Sequence, residues 1–135
     1  MSQANVEIFR RFFDAYDRRD RDAVAACLHP DVEWHTIAGP VFGIDALHGR
    51  SEMLAFMFEQ IPEEFPDFRA TLAETTLLEN DQVLTVATYV GHGVSSGARV
   101  EMKTAALSSF SGGTIVWFRE FPTRAEALEA VGLRE

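Results

Sequence analysis

The chain is short of the residues that make staples, metal centres and polyanion-binding surfaces. Cys27 is its only cysteine, so no intramolecular disulfide framework can form and a reducing compartment is expected. The four histidines, His29, His35, His48 and His92, are scattered with no pair at metal-ligand spacing, so no metal site is expected. Twelve Lys and Arg stand against 21 Asp and Glu, a formal net charge of −9, and no basic cluster interrupts the acidic background. That balance speaks against nucleic acid or an anionic membrane as a partner. The amino terminus lacks the basic and apolar regions of a signal peptide, and no apolar run is long enough to span a bilayer, so a cytoplasmic protein is expected. No serine sits in a nucleophile-elbow motif, and no glycine loop has phosphate-cradle spacing.

Phenylalanine, by contrast, is plentiful. Eleven of them in 135 residues require either a thick core or an apolar cavity to line. The length suits one domain, residues 1–135. Phe9, Phe12, Phe13 and Tyr16 recur at helical spacing behind Asn5, a candidate N-cap, and predict an amphipathic first helix with an aromatic face. Asp20 is placed to cap a second helix with an apolar stripe of Val24, Cys27 and Leu28, ended by Pro30. Cys27 reads there as a small core residue.

Residues 31–37 alternate as a strand, and Gly39-Pro40 ends it. Residues 41–50 read as an extended loop with room for one short strand, and Ser51 as the cap of a third helix that stops at Pro62. From Phe68 onward the pattern is strand: residues 68–79, 82–92, 99–110 and 114–121, separated by turns at Asn80-Asp81, Ser95-Ser96-Gly97 and Ser111-Gly-Gly. Thr123 and Glu126 form a capping box for a last helix, with Gly132 at its C-terminal end. Helices first and a meander afterwards indicate an α+β fold.

Alternation divides the strands into faces. Thr85, Ala87, Tyr89 and Gly91 share one face, as do Val116, Phe118 and Glu120. The opposite faces, carrying Leu84 and Val86 or Ile115, Trp117 and Phe121, are also substantially apolar. Three helices cover only one face, so the other is expected to pack on a second copy as a homodimer.

Four groups of residues carry a family resemblance. They are Phe9-x-x-Phe12-Phe13-x-x-Tyr16 with Asp20-x-Asp22; the run from Leu28 through Trp34 to His35; Gly49-Arg50 opening a helix; and Trp117-Phe-Arg-Glu-Phe followed by the run from Glu126 to Leu133. In order and spacing the chain resembles SnoaL-like (polyketide cyclase-like) domains of the nuclear-transport-factor-2-like superfamily, which also holds ketosteroid isomerases and limonene-epoxide hydrolases. The resemblance implies a curved sheet wrapped round helices as a cone, an apolar pocket inside it, and frequent dimers through the outer sheet face. It also implies what is missing. The isomerase tyrosine and aspartate fall at Phe12 and near Thr36, and the hydrolase arginine and second aspartate near Ala87 and Tyr89. Only the last-strand carboxylate is matched, by Glu120.

Glu120 is therefore the candidate acid or base, since burial beside Phe118 would raise its pKa toward the range useful for proton transfer. Trp34, Thr36, Tyr89, Met102 and Thr104 share its inward direction and, with Tyr16 and Phe118, are candidate ligand-binding residues; Trp34 and Tyr89 would each offer a donor. Ordinary core packing is the competing reading of these side chains. His35 and Arg50 are candidate pocket-rim residues, with a partner-facing position open for His35 and a structural salt bridge for Arg50. The expectation is a small cofactor-independent enzyme of isomerase, cyclase, dehydratase or hydrolase type, acting on an apolar small molecule. A non-catalytic ligand-binding or dimeric scaffold module is the alternative.

Overall fold

The computed structural model describes residues 3–132 and has the mixed α+β architecture. Helix α1, Gln3–Asp17, buries Phe9, Phe12 and Tyr16, as its aromatic stripe requires. It begins before Asn5, which does not cap it; the Asn5 amide donates instead to the Asp81 carbonyl. Asp20 does cap α2, Arg21–Ala26, its carboxylate accepting from the Ala23 N–H at 3.1 Å. Leu28 is not on that helix. It opens strand β1, Leu28–His35.

The segment expected to be a loop with a short strand holds such a strand, β2, Leu47–His48, but also one turn of helix that the pattern did not indicate, α3, Gly39–Phe42. Gly39 permits the turn, because a Cβ there would lie 2.4 Å from the Ile44 carbonyl oxygen. The third helix starts from Gly49 and runs on through Pro62: α4, Arg50–Ala55, then a π-helical turn, Phe56–Gln60, then α5, Ile61–Glu64. Pro62 is tolerated because it begins a new turn, where its missing N–H is not needed. Ser51 lies inside α4 and caps nothing.

Four strands follow: β3, Arg69–Leu77; β4, Val83–His92; β5, Arg99–Ser111; and β6, Thr114–Phe121. Gly112 and Gly113, both at positive φ, make the tight turn between the last two. Helix α6, Arg124–Ala130, starts at Thr123, whose hydroxyl accepts from the Glu126 N–H. Gly132 follows in the left-handed region, and Leu133 lies outside the described residues. The six strands form one sheet in the order β2-β1-β6-β5-β4-β3, antiparallel except where β1 lies parallel to β6.

Two details of register position the site. Trp34 pairs with Phe118 and His35 with Arg119, so the next inward pair along β1 and β6 is Thr36 beside Glu120. Between Ser109 and Phe110 the ladder of β5 and β6 shifts, which flips the parity of β6. Ile115 therefore joins Phe118 in the inner core, against the expectation from simple alternation.

The outer face is covered in part by the chain itself. Ala127 and Leu128 of α6 pack on Leu84, Val86, Ala105, Leu107 and Phe121. A fourth helix thus accounts for much of the apolar surface from which a partner subunit was expected. Beyond α6 this face carries half-buried Trp117 and Thr88 among exposed Glu101, Lys103 and Arg119. No helix among the described residues is long and apolar enough to cross a membrane.

Candidate active site

The concave face of the sheet, α1 and the segment from Gly39 to Phe65 enclose a cavity of about 110 Å³. Its walls are rings. Phe118 of β6 packs against Phe9 and Phe12 of α1, at 5.9 and 6.3 Å between centroids, and against Trp34 at 5.6 Å. Phe56 meets Trp34 edge-on at 5.2 Å and Phe42 at 4.9 Å, closing the side under α3. A cavity of roughly 150 Å³ with such walls accommodates benzene, so this space is on the scale of one ring.

One carboxyl group enters it. Glu120 is 7% exposed and sits at the cavity wall, and among the described residues no lysine, arginine or histidine lines that cavity. Neutral donors surround it instead. Its Oε1 accepts from the Thr36 hydroxyl at 2.9 Å and the Ile37 N–H at 3.0 Å, while Oε2 accepts from the Tyr89 hydroxyl at 2.5 Å. Oε2 keeps a further acceptor position, because a carboxylate oxygen takes two hydrogen bonds. Burial is the leading influence on this acid and raises its pKa; the bonds from Tyr89, Ile37 and Thr36 pull the other way without cancelling it.

Tyr89 reaches Glu120 across a whole strand, since β5 lies between β4 and β6. The residues on β5 that face the cavity there, Thr104 and Ala106, are short enough to let the phenol pass. Burial, then the charge of Glu120, keeps the Tyr89 hydroxyl well above its ordinary pKa, with a smaller opposing pull from Thr104. It remains a neutral donor.

Every inward residue singled out from the sequence lines this cavity: Tyr16, Trp34 and Thr36 on one side, Tyr89, Met102 and Thr104 on another, with Phe118 and Glu120 between. Two details differ. The donors expected from Trp34 and Tyr89 both turn to Glu120 and away from a ligand. The Trp34 indole N–H lies near enough to favour the charged carboxylate, yet it is sealed from open space and short of hydrogen-bond geometry. Trp34 therefore offers the cavity its ring.

The two rim candidates are elsewhere. His35 lies against Trp117 and bonds to Glu33, whose other oxygen is 3.6 Å from His48. Strict alternation from Trp34 puts it outside, and no kink brings it back. Arg50 donates to the Leu28 carbonyl at 3.4 Å, as its place at the start of α4 dictates. Neither borders the cavity. Among the described residues no group of three or more His, Cys, Asp and Glu could hold a metal ion. The aromatic walls at Phe42, Phe56 and Phe65 went unassigned in the sequence; their one signal was the excess of phenylalanine over what α1 alone could use.

The profile of the SnoaL-like domain family matches residues 9–118, stopping two positions short of Glu120. No curated protein matches the chain. Among solved structures, a nuclear-transport-factor-2-like protein of unknown function from Burkholderia pseudomallei K96243 is 26% identical over 98% of this chain and 99% of its own, with a TM-score of 0.76. A nuclear-transport-factor-2-like protein from Burkholderia thailandensis E264 is likewise 26% identical, covering 90% of this chain and 91% of its own, with a TM-score of 0.77. A protein assigned to the SnoaL-like polyketide cyclases, from Jannaschia sp. CCS1, shares the fold at 24% identity, 90% and 88% coverage and a TM-score of 0.71. With the family profile spanning most of its length, this chain belongs to the SnoaL-like domain family.

Proposed function

We propose that the protein is a small enzyme that transfers a proton to or from an apolar small molecule bearing a carbonyl or hydroxyl group, with Glu120 as the proton carrier. The observation that carries this reading is a carboxyl group buried in a ring-walled cavity and held by neutral donors alone. A salt-bridged acid stays ionised and inert, whereas one raised toward neutrality both takes and gives protons. Its open acceptor position at Oε2 is where a substrate proton would arrive. Thr36, Ile37 and Tyr89 fix the carboxyl, Trp34 and Phe118 wall the substrate, and the dry surroundings keep the acid near its working pKa. The Jannaschia protein assigned to the SnoaL-like polyketide cyclases shares the fold.

In D2O, the protein should speed exchange of the hydrogens next to the carbonyl of cyclohexanone, followed by NMR. Glu120→Gln should lower that rate by roughly 10²–10⁴-fold. Ligand binding without exchange would favour a non-catalytic binding module. We also propose a homodimer through the part of the outer face around Trp117 that α6 leaves bare; a monomer in sedimentation at micromolar concentration would contradict it.

A further inference from the structure

Glu120 accounts for the hydroxyl of Tyr89 and directs the indole of Trp34 to itself, but it leaves Tyr16 unused. Tyr16 lines the same cavity and is 7% exposed. Its ring is clamped edge-on by Phe58 at 5.7 Å and beneath the Arg19 guanidinium at 4.4 Å, so the side chain has little freedom to turn. Arg19 is itself tied down, donating to the carbonyls of Tyr16 and Phe68. The Tyr16 hydroxyl makes no hydrogen bond to any described residue. Nor is it among the sealed, unbonded polar atoms, which are Trp34 Nε1 and Ser108 Oγ. A rigid, nearly buried donor that retains contact with open space in an apolar cavity is suited to a ligand acceptor.

Ring contacts link it to Glu120 along the cavity wall. Glu120 bonds to Tyr89; the Tyr89 ring lies 5.5 Å from Phe68, and Phe68 lies 6.3 Å from Tyr16. Tyr89 and Phe68 thus connect the acid to the Tyr16 ring. Resting on the reading of Glu120 above, we infer that the ligand carries two oxygens, one accepting a hydrogen bond from Glu120 in its protonated form and the other accepting one from Tyr16. Burial, opposed in part by Arg19, pushes the Tyr16 hydroxyl up to about 12, so it stays a neutral donor throughout the ordinary pH range.

Calorimetric binding of 1,4-cyclohexanedione and cyclohexanone tests this. In the wild type the second oxygen should improve affinity by several-fold to about ten-fold. Tyr16→Phe should abolish that ratio and leave cyclohexanone binding as it was, a selectivity change that a general loss of packing would not produce. A ratio of one in the wild type, or a ratio that survives Tyr16→Phe, overturns the inference. Cyclohexanone affinity that does not fall as pH rises through the Glu120 titration would instead overturn the placement of the first oxygen, and failure of both ketones to bind would overturn both.

Discussion

Two glutamates of one sheet show how surroundings decide what an acid is for. Glu74, on β3, is held by the Arg124 guanidinium of α6, with Nε at 3.0 Å from Oε1 and a second nitrogen at 3.1 Å from Oε2. That pairing, helped by Thr76, holds its pKa below the ordinary value. Glu120 receives three hydrogen bonds, all from neutral groups and inside an apolar cavity, and its pKa is raised. A cation makes the first a structural tie between helix and sheet. With no such cation among the described residues of the cavity wall, the second is the acid to which we assign proton exchange.

The contrast breaks most sharply in activity. Glu120→Gln should remove roughly 10²–10⁴-fold of proton exchange while the protein stays folded, and Glu74→Gln should leave exchange unchanged. Next in size is the division of the sheet into a working face and a packing face. Leu107 is fully buried on the outer face with Ala127 and Leu128 of α6. Leu107→Ala should cost about 2–5 kcal/mol in denaturant unfolding, with ligand affinity preserved in the folded fraction.

The two acids should also give opposite slopes of stability with pH. Glu74 has a depressed folded pKa, so its contribution is present above the ordinary value of 4.5 and fades as pH falls through the folded pKa. Glu120 has a raised one, so the folded state holds an extra proton between 4.5 and that higher value, and stability declines as pH rises through this window. Glu120→Gln should flatten the decline, and Glu74→Gln should flatten the acid limb; chemical denaturation from pH 3 to 9 would reveal identical profiles if burial did not separate the two acids. The smallest effect is Arg124→Ala at neutral pH. Its pair with Glu74 is about one-third exposed, which places the loss at about 0–1 kcal/mol.

Much of this was legible in the chain because it depends on period and spacing. The aromatic stripe of α1, the Asp20 and Thr123 caps, and the inward set from Trp34 to Glu120 all follow from local pattern. Other features depend on contacts that no local pattern encodes. The register shift beside Ser109 turned Ile115 inward. The return of α6 over Leu84 and Leu107 gave the outer face a cover within the same chain. Helix α3 brought Phe42 against Phe56, within a stretch whose glycines suggested a loop and a short strand but no helix. The bond from Tyr89 to Glu120 needed both strand order and the short side chains between them, and so escaped a reading of single strands.

The most direct test of the account is the ¹³C NMR titration of the Glu120 carboxyl carbon, identified by its loss in Glu120→Gln. The account predicts a midpoint above that of an ordinary glutamate, and a further rise in Tyr89→Phe, where the carboxylate loses a donor. A midpoint at or below the ordinary value would contradict it, because Glu120 would then be an ionised structural acid like Glu74.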